Sequence, residues 1–168
     1  MNYAIRPMKR SEIPTLSLLL KTILHEAFTF YKQETRNVYE RFFTEKELMK
    51  LSRKKKTVLL GAFDKEKLIG FCILVDKDGG VGFVEWLAIS PEYRGKGIGP
   101  RLLKDIQKYA LKKKFHYIFL YTETEKNIEF YKRQGFEYVG LQRNSWFGEN
   151  EHLLQKILRE EPFKEAFE

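Results

Sequence analysis

Three glycines alternate at positions 95, 97 and 99, between an apolar, strand-like run and an amphipathic, helix-like one. This turn constrains the fold more than any other feature of the chain. Without a Cβ, alternate glycines let backbone N–H groups converge on one point, and at a helix N-terminus that point favours an anion. The cationic Arg94, Lys96 and Arg101 reinforce the reading, although spacing alone leaves a purely structural turn as the alternative. The run ahead, Val81 to Ser90, follows the turn signal Asp78-Gly79-Gly80 and reads as a strand. The run behind carries Ile98, Leu102, Leu103, Ile106, Tyr109 and Ala110 on one helical face. A further strand candidate, His116 to Thr122, comes next. Strand, helix, strand in this order is a crossover unit, which predicts that these two strands lie parallel.

The rest of the chain supplies the neighbours of that unit. Residues 2–7 form a first strand candidate. Ser11 is positioned to cap a helix with Ile13, Leu16, Leu20, Ile23, Leu24, Ala27 and Phe28 at helical period. Thr44 and Glu47 have capping-box spacing and open a helix to about Lys55. The aromatic stretch between, Thr29 to Phe43, fits no single pattern. Thr57 to Phe63 and Leu68 to Asp76 read as a hairpin joined by Asp64-Lys65-Glu66-Lys67. Thr124 is placed to cap a short helix, Glu125 to Gln134, that stops at Gly135. Phe136 to Arg143 and His152 to Leu158 are the last strand candidates. The expected fold is α+β: one mixed, mostly antiparallel sheet whose fourth and fifth strands are parallel, with helices on both faces. With no linker or repeat, residues 1–168 are expected to form a single domain.

Composition narrows the classes. Apolar residues make up 43%, which argues against disorder. The single cysteine, Cys72, lies in the apolar run Phe71-Cys72-Ile73-Leu74-Val75 and is expected to be a buried structural thiol. No signal-peptide pattern opens the sequence and no run reaches the roughly 18 apolar residues of a membrane span, so a cytoplasmic protein without membrane association is expected. The net charge of +8 invites a polyanion: nucleic acid, anionic lipid or a phosphorylated cofactor. Much of it sits in Arg53-Lys54-Lys55-Lys56 and Lys112-Lys113-Lys114, at the ends of expected helices, where the macrodipole favours cations anyway. That weighs against a nucleic-acid patch. No His/Cys pattern has metal-ligand spacing, so no metal is expected.

Two phosphate motifs fail on spacing. Gly97 follows Lys96, which a P-loop does not allow. Pro100 holds the place of the third glycine of a dinucleotide fingerprint. The segment instead resembles the Arg/Gln-x-x-Gly-x-Gly/Ala signature of the GCN5-related N-acetyltransferases (GNAT), read as Arg94-x-x-Gly97-x-Gly99. Leu87-Ala88-Ile89-Ser90-Pro91-Glu92-Tyr93 resembles that family's fourth strand and loop. Phe130-Tyr131-Lys132-Arg133-Gln134-Gly135-Phe136 resembles its Tyr-containing helix and Gly-Phe exit.

The resemblance implies an enzyme that moves an acetyl group from acetyl-CoA directly to a primary amine. It implies that the cofactor's pyrophosphate rests on the amides of Arg94, Gly95, Lys96, Gly97, Ile98 and Gly99. The pantetheine arm would run along Leu87, Ala88 and Ile89, in a slot where the parallel strands splay apart. Backbone N–H near Ala88 or Ile89 would stabilise the oxyanion. Tyr131 would be the general acid that protonates the departing thiolate, its bland alternative being a core aromatic. Pro100 departs from the family by removing one N–H. Thr124 stands where the family often has Asn, and Asn127 where it has Ala; either is a candidate contact to the pantetheine arm.

An amine acceptor needs a base, because a lysine amine is almost wholly protonated at neutral pH. Glu85 is the leading candidate, with a plain solvated strand residue as its alternative; His116 and Glu123 are lesser ones. His25 and His152 lack companions in the sequence and are read as structural. The acceptor is expected between the first two helices and the last hairpin, where Phe28, Phe30, Tyr31, Tyr39, Phe42, Phe43, Trp146 and Phe147 are candidate walls or core. The hairpin's aromatic pair and acidic turn resemble enzymes that acetylate protein N-termini; a small-molecule amine stays open, as does a homodimer. The alternatives are a non-catalytic acyl-CoA-binding regulator on the same fold and a basic nucleic-acid-binding domain.

Overall fold

The computed structural model describes residues 2–168. Along the chain run β1 (Ala4–Pro7), α1 (Ile13–Ala27), α2 (Gln33–Phe42), α3 (Glu45–Ser52), β2 (Val58–Asp64), β3 (Lys67–Asp76), β4 (Val81–Ile89), α4 (Ile98–Lys112), β5 (Tyr117–Thr122), α5 (Glu125–Arg133), β6 (Glu137–Gln142) and β7 (Glu151–Ile157). The strands form one sheet in the order β1-β2-β3-β4-β5-β7-β6. β4 and β5 are parallel, while β1–β2, β5–β7 and β7–β6 are antiparallel. The mixed α+β architecture and the parallel pair are those predicted from the crossover unit. Among the described residues, no helix is long and apolar enough to cross a membrane.

The chain divides into two compact units: Met1–Ile73 with Trp86–Asp105, and Leu74–Glu85 with Ile106–Glu168. In the first, α1 buries Ile13, Leu16, Leu20, Ile23 and Leu24 and packs on α2 and α3. Thr44 caps α3 as predicted, its Oγ1 accepting from the Glu47 amide at 3.4 Å. Phe71, Cys72 and Ile73 in β3 are fully buried, and burial pushes the Cys72 thiol pKa far up, so this sulfur stays a neutral packing atom. In the second unit, β5 pairs along its whole length with β7, and α5 packs on β6 and β7. The turn into β4 uses left-handed Asp78, Gly79 and Gly80, with the Val81 amide donating to the Asp78 carbonyl at 2.9 Å.

Two elements differ from expectation. Ser11 does not cap α1; it lies inside a 3-10 turn, Arg10–Glu12, after which α1 starts at Ile13 with Pro14 in its first turn. The turn is stabilised instead by Glu12, whose carboxylate accepts from the Lys9 amide at 2.7 Å and from both Arg6 Nη atoms at 2.6 and 2.9 Å. The unassigned stretch Thr29 to Phe43 contains α2. Its N-cap, Lys32, makes no side-chain cap hydrogen bond, so the helix start carries no local signal.

Candidate active site

In the first unit, the chain leaves β4 through a 3-10 turn, Pro91–Tyr93, and enters α4 across the glycine segment. Gly95 and Gly97 have φ of 72° and 77°, the left-handed region where other residues are strained. A Cβ added at either would meet nothing within 4 Å. These glycines are therefore required by backbone conformation rather than by crowding, and their outer side is open. Residues 94–97 are exposed, while Ile98 is buried and anchors the helix start. The first helical hydrogen bond runs from the Arg101 amide to the Gly97 carbonyl, so the Ile98 and Gly99 amides lie ahead of the helical ladder and Pro100 has no N–H. A left-handed glycine turn that leaves donors at a helix N-terminus fits a phosphate group.

The cations beside the turn also shape it. Arg94 Nε donates to the Ile89 carbonyl at 3.1 Å, fastening the turn to the end of β4. Lys96 Nζ donates to the Glu92 carbonyl at 2.8 Å and lies 4.9 Å from the centroid of the Tyr93 ring. Lys67 pairs with Glu92 at 3.0 Å. Leu87 and Ile89 are half-buried and Ala88 is buried, and the Ser90 amide donates to the Ile69 carbonyl at 2.9 Å.

In the second unit, the β4–β5 ladder pairs only Val81–Phe83 with Tyr117–Phe119. β5 continues to Thr122 against β7, and β4 continues through Val84 and Glu85, beyond the last registered pair. The parallel pair is thus short. Glu85 and Glu123 both lie past it, whereas His116 precedes the paired end of β5. His116 Nδ1 is buried without a hydrogen-bond partner beside Gly80, where an added Cβ would come within 2.7 Å of it. Of the three base candidates, the structure separates His116 from the other two along β5.

Thr124 caps α5, its Oγ1 accepting from the Asn127 amide at 3.2 Å. That bond uses a lone pair and leaves the hydroxyl hydrogen for donation. The Asn127 side chain is exposed one turn into the helix. Tyr131 is buried, 9% exposed. Gly135, at φ 80°, ends α5: its amide donates to the Lys132 carbonyl at 2.9 Å and the Phe136 amide to the Tyr131 carbonyl at 3.1 Å. This is a Schellman closure, and the accompanying apolar contact is between Tyr131 and Phe136, with ring centroids 5.7 Å apart. The Gly-Phe exit is therefore what seats Tyr131. Sequence reasoning missed Lys156, whose Nζ donates to the Gln134 carbonyl at 2.8 Å and ties the end of α5 to β7; a lysine within a strand gives no such signal.

The aromatic candidates divide by environment. In the first unit Trp86 meets Phe28, Tyr39 and Phe43 edge-on at 5.3, 6.2 and 5.4 Å, and Tyr31 and Phe43 are buried. Most of this group is core around Trp86; Phe30 and Phe42 are exposed. Trp146 and Phe147, on the β6–β7 loop of the second unit, are also exposed. His152 has a companion, its Nδ1 lying 3.0 Å from the Tyr138 hydroxyl oxygen, and so does His25: its Nε2 lies 2.9 Å from Glu40 Oε2, and Glu40 also pairs with Lys21. The partners sit on different helices, 15 residues apart, beyond the reach of a spacing rule. Among the described residues, no group of three or more His, Cys, Asp or Glu is placed to hold a metal.

The sequence matches the profile described as "Acetyltransferase (GNAT) family" over residues 19–136. No curated protein sequence matches the chain. Solved structures share its fold. The PaiA N-acetyltransferase of Thermoplasma acidophilum, in complex with coenzyme A, is 24% identical with a TM-score of 0.77, covering 94% of this chain and 99% of that one. The ribosomal-protein-alanine N-acetyltransferase of Brucella melitensis is 20% identical with a TM-score of 0.71, covering 92% and 99%. An aminoglycoside 6'-acetyltransferase type Ii is 20% identical with a TM-score of 0.70, covering 95% and 99%. These likenesses establish the fold, and the profile match takes in both the glycine turn and Tyr131. The chain belongs to the GNAT family of acetyltransferases.

Proposed function

We propose that this protein is an N-acetyltransferase that takes its acetyl group from acetyl-CoA and passes it to a primary amine, with residues 1–168 acting as one catalytic domain. The observation that carries the reading is the turn at residues 94–99. Two left-handed glycines there open backbone donors to the outside at the start of α4, and no side chain would be met on that side. The residues fit a diphosphate, and coenzyme A is the group held by the PaiA N-acetyltransferase named above.

In this reading the amides of Gly95, Lys96, Gly97, Ile98 and Gly99 bind the pyrophosphate, while the Arg94 amide, expected to join them, already donates to the Pro91 carbonyl at 3.2 Å. Leu87, Ala88 and Ile89 offer backbone to the pantetheine arm as an added strand would use it. Thr124 contributes its free hydroxyl hydrogen and Asn127 its amide to the same arm. The thioester supplies an activated acetyl group. Glu85 accepts the proton the amine must lose, directly or through water, and Tyr131 gives a proton to the sulfur as the C–S bond breaks. N–H groups at Ala88 or Ile89 receive the developing negative oxygen. The acceptor is a peptide N-terminus or a small-molecule amine, and the work is done in the cytoplasm.

Thiol release from acetyl-CoA, measured across a panel of polyamines, amino acids, aminoglycosides and N-terminal peptides, tests the proposal. At least one amine class should release CoA thiol at a rate proportional to enzyme. Cofactor binding without release from any amine would instead identify a non-catalytic acyl-CoA-binding protein.

A further inference from the structure

β6 is the last strand in the sheet, so among the described residues its outer edge has no neighbouring strand. Such an edge presents unpaired N–H and C=O groups, and proteins usually protect it with charge. Here Tyr138, Val139 and Leu141 are 42%, 51% and 42% exposed instead.

Pairing with β7 fixes the face each residue occupies. Glu137, Gly140 and Gln142 lie opposite Gln155, Leu153 and Glu151, while Tyr138 and Leu141 lie opposite Leu154 and His152. The register shifts between Tyr138 and Gly140, which makes Val139 the extra residue of a bulge. Tyr138 and Leu141 consequently share a face, which the two-residue period of a regular strand would forbid.

A bulge commonly blunts an edge, but this one also makes β6 self-complementary. Two antiparallel strands related by a two-fold axis must oppose residues of the same face. Placing the axis between Val139 and Gly140 sets Glu137 against Gln142 and Tyr138 against Leu141, and in both pairs the faces agree because of the bulge. Val139 then meets Gly140, around which an added Cβ finds nothing within 4 Å. Charge favours the same arrangement. Glu137 stands at one end of the strand and Arg143 just beyond the other, so antiparallel copies bring acid beside base twice.

We propose that β6 is a homodimer interface, in which two copies of this chain pair their β6 strands antiparallel with Tyr138 of each opposite Leu141 of the other. The contact is isologous and closes after two copies. Cross-strand Tyr–Leu pairs of this kind add to the backbone ladder.

Sedimentation equilibrium of the full chain tests it. The wild type should sediment at twice the 20.1 kDa chain mass in the micromolar range. Leu141→Lys alone and Tyr138→Glu alone should each sediment as monomers with thermal unfolding near that of the wild type. The double variant should regain the dimer, because it sets a carboxylate opposite an ammonium at both pairs. Amide exchange in β6 of the wild type should slow as protein concentration rises. A monomeric wild type, a dimer that survives both single substitutions, or a folded double variant that stays monomeric would overturn the proposal.

Discussion

Tyr131 is held by its carbonyl, which accepts from the Phe136 amide, and by its ring, packed edge-on against Phe130 and Phe136. Removing only its oxygen should leave this packing intact. Tyr131→Phe is therefore expected to lower kcat by about 100-fold or more, the usual scale of a lost proton transfer. Titration calorimetry should show the affinity for acetyl-CoA largely retained; unchanged turnover would remove Tyr131 from the chemistry. Glu12 offers a separate residue-scale test. The paired Arg6 guanidinium, chiefly through its hydrogen bonds, lowers the Glu12 carboxyl pKa to about 2. An ordinary glutamate titrates near 4.3, so the stabilisation is complete above that pH and disappears as the pH falls toward 2. Both partners are partly exposed, so Glu12→Gln should cost about 1 kcal/mol at neutral pH by urea unfolding, with the difference from wild type vanishing near pH 2.

At the scale of elements, the turn between β4 and α4 is fixed by two φ values that a side chain opposes. Gly97→Ala should cost roughly 1–2 kcal/mol of stability, the penalty of a left-handed alanine, because its methyl would find open space rather than a clash. The same variant should raise the KM for acetyl-CoA more than it lowers kcat in steady-state assays. This turn was legible in the sequence because its chemistry is local: alternating glycines, a strand before and a helix stripe after. Thr44 and Thr124 were legible as caps for the same reason. α2 was not, since it starts without a capping side chain and its Tyr39 serves the Trp86 cluster, a tertiary fact. Ser11 misled because Glu12, reaching back to the Lys9 amide and across to Arg6, organises that turn instead. The Gly135-Phe136 pair was recognised by resemblance, but its physical role, closing α5 so that Tyr131 is seated, appears only in the hydrogen bonds.

Over the whole molecule, one sheet carries both the packing and the backbone proposed to face the cofactor. Phe71 in β3 is fully buried, so Phe71→Ala should cost about 3–5 kcal/mol and lower the unfolding midpoint by many degrees in calorimetry. The register of β4 against β5 ends after three residues, and the proposed oxyanion donors and the proposed base lie on β4 past that point. The parallel β4–β5 pair was predictable from the crossover; the insertion of β7 between β5 and β6 was not, because a hairpin's sequence does not say which of its strands turns inward. Open amides from Gly95 to Gly99 are proposed to grip the diphosphate of acetyl-CoA. The most direct measurement is the unfolding midpoint of the purified protein titrated with acetyl-CoA. A saturable rise is expected, since a ligand that binds only the folded chain stabilises it. An unchanged midpoint at millimolar acetyl-CoA would contradict the account.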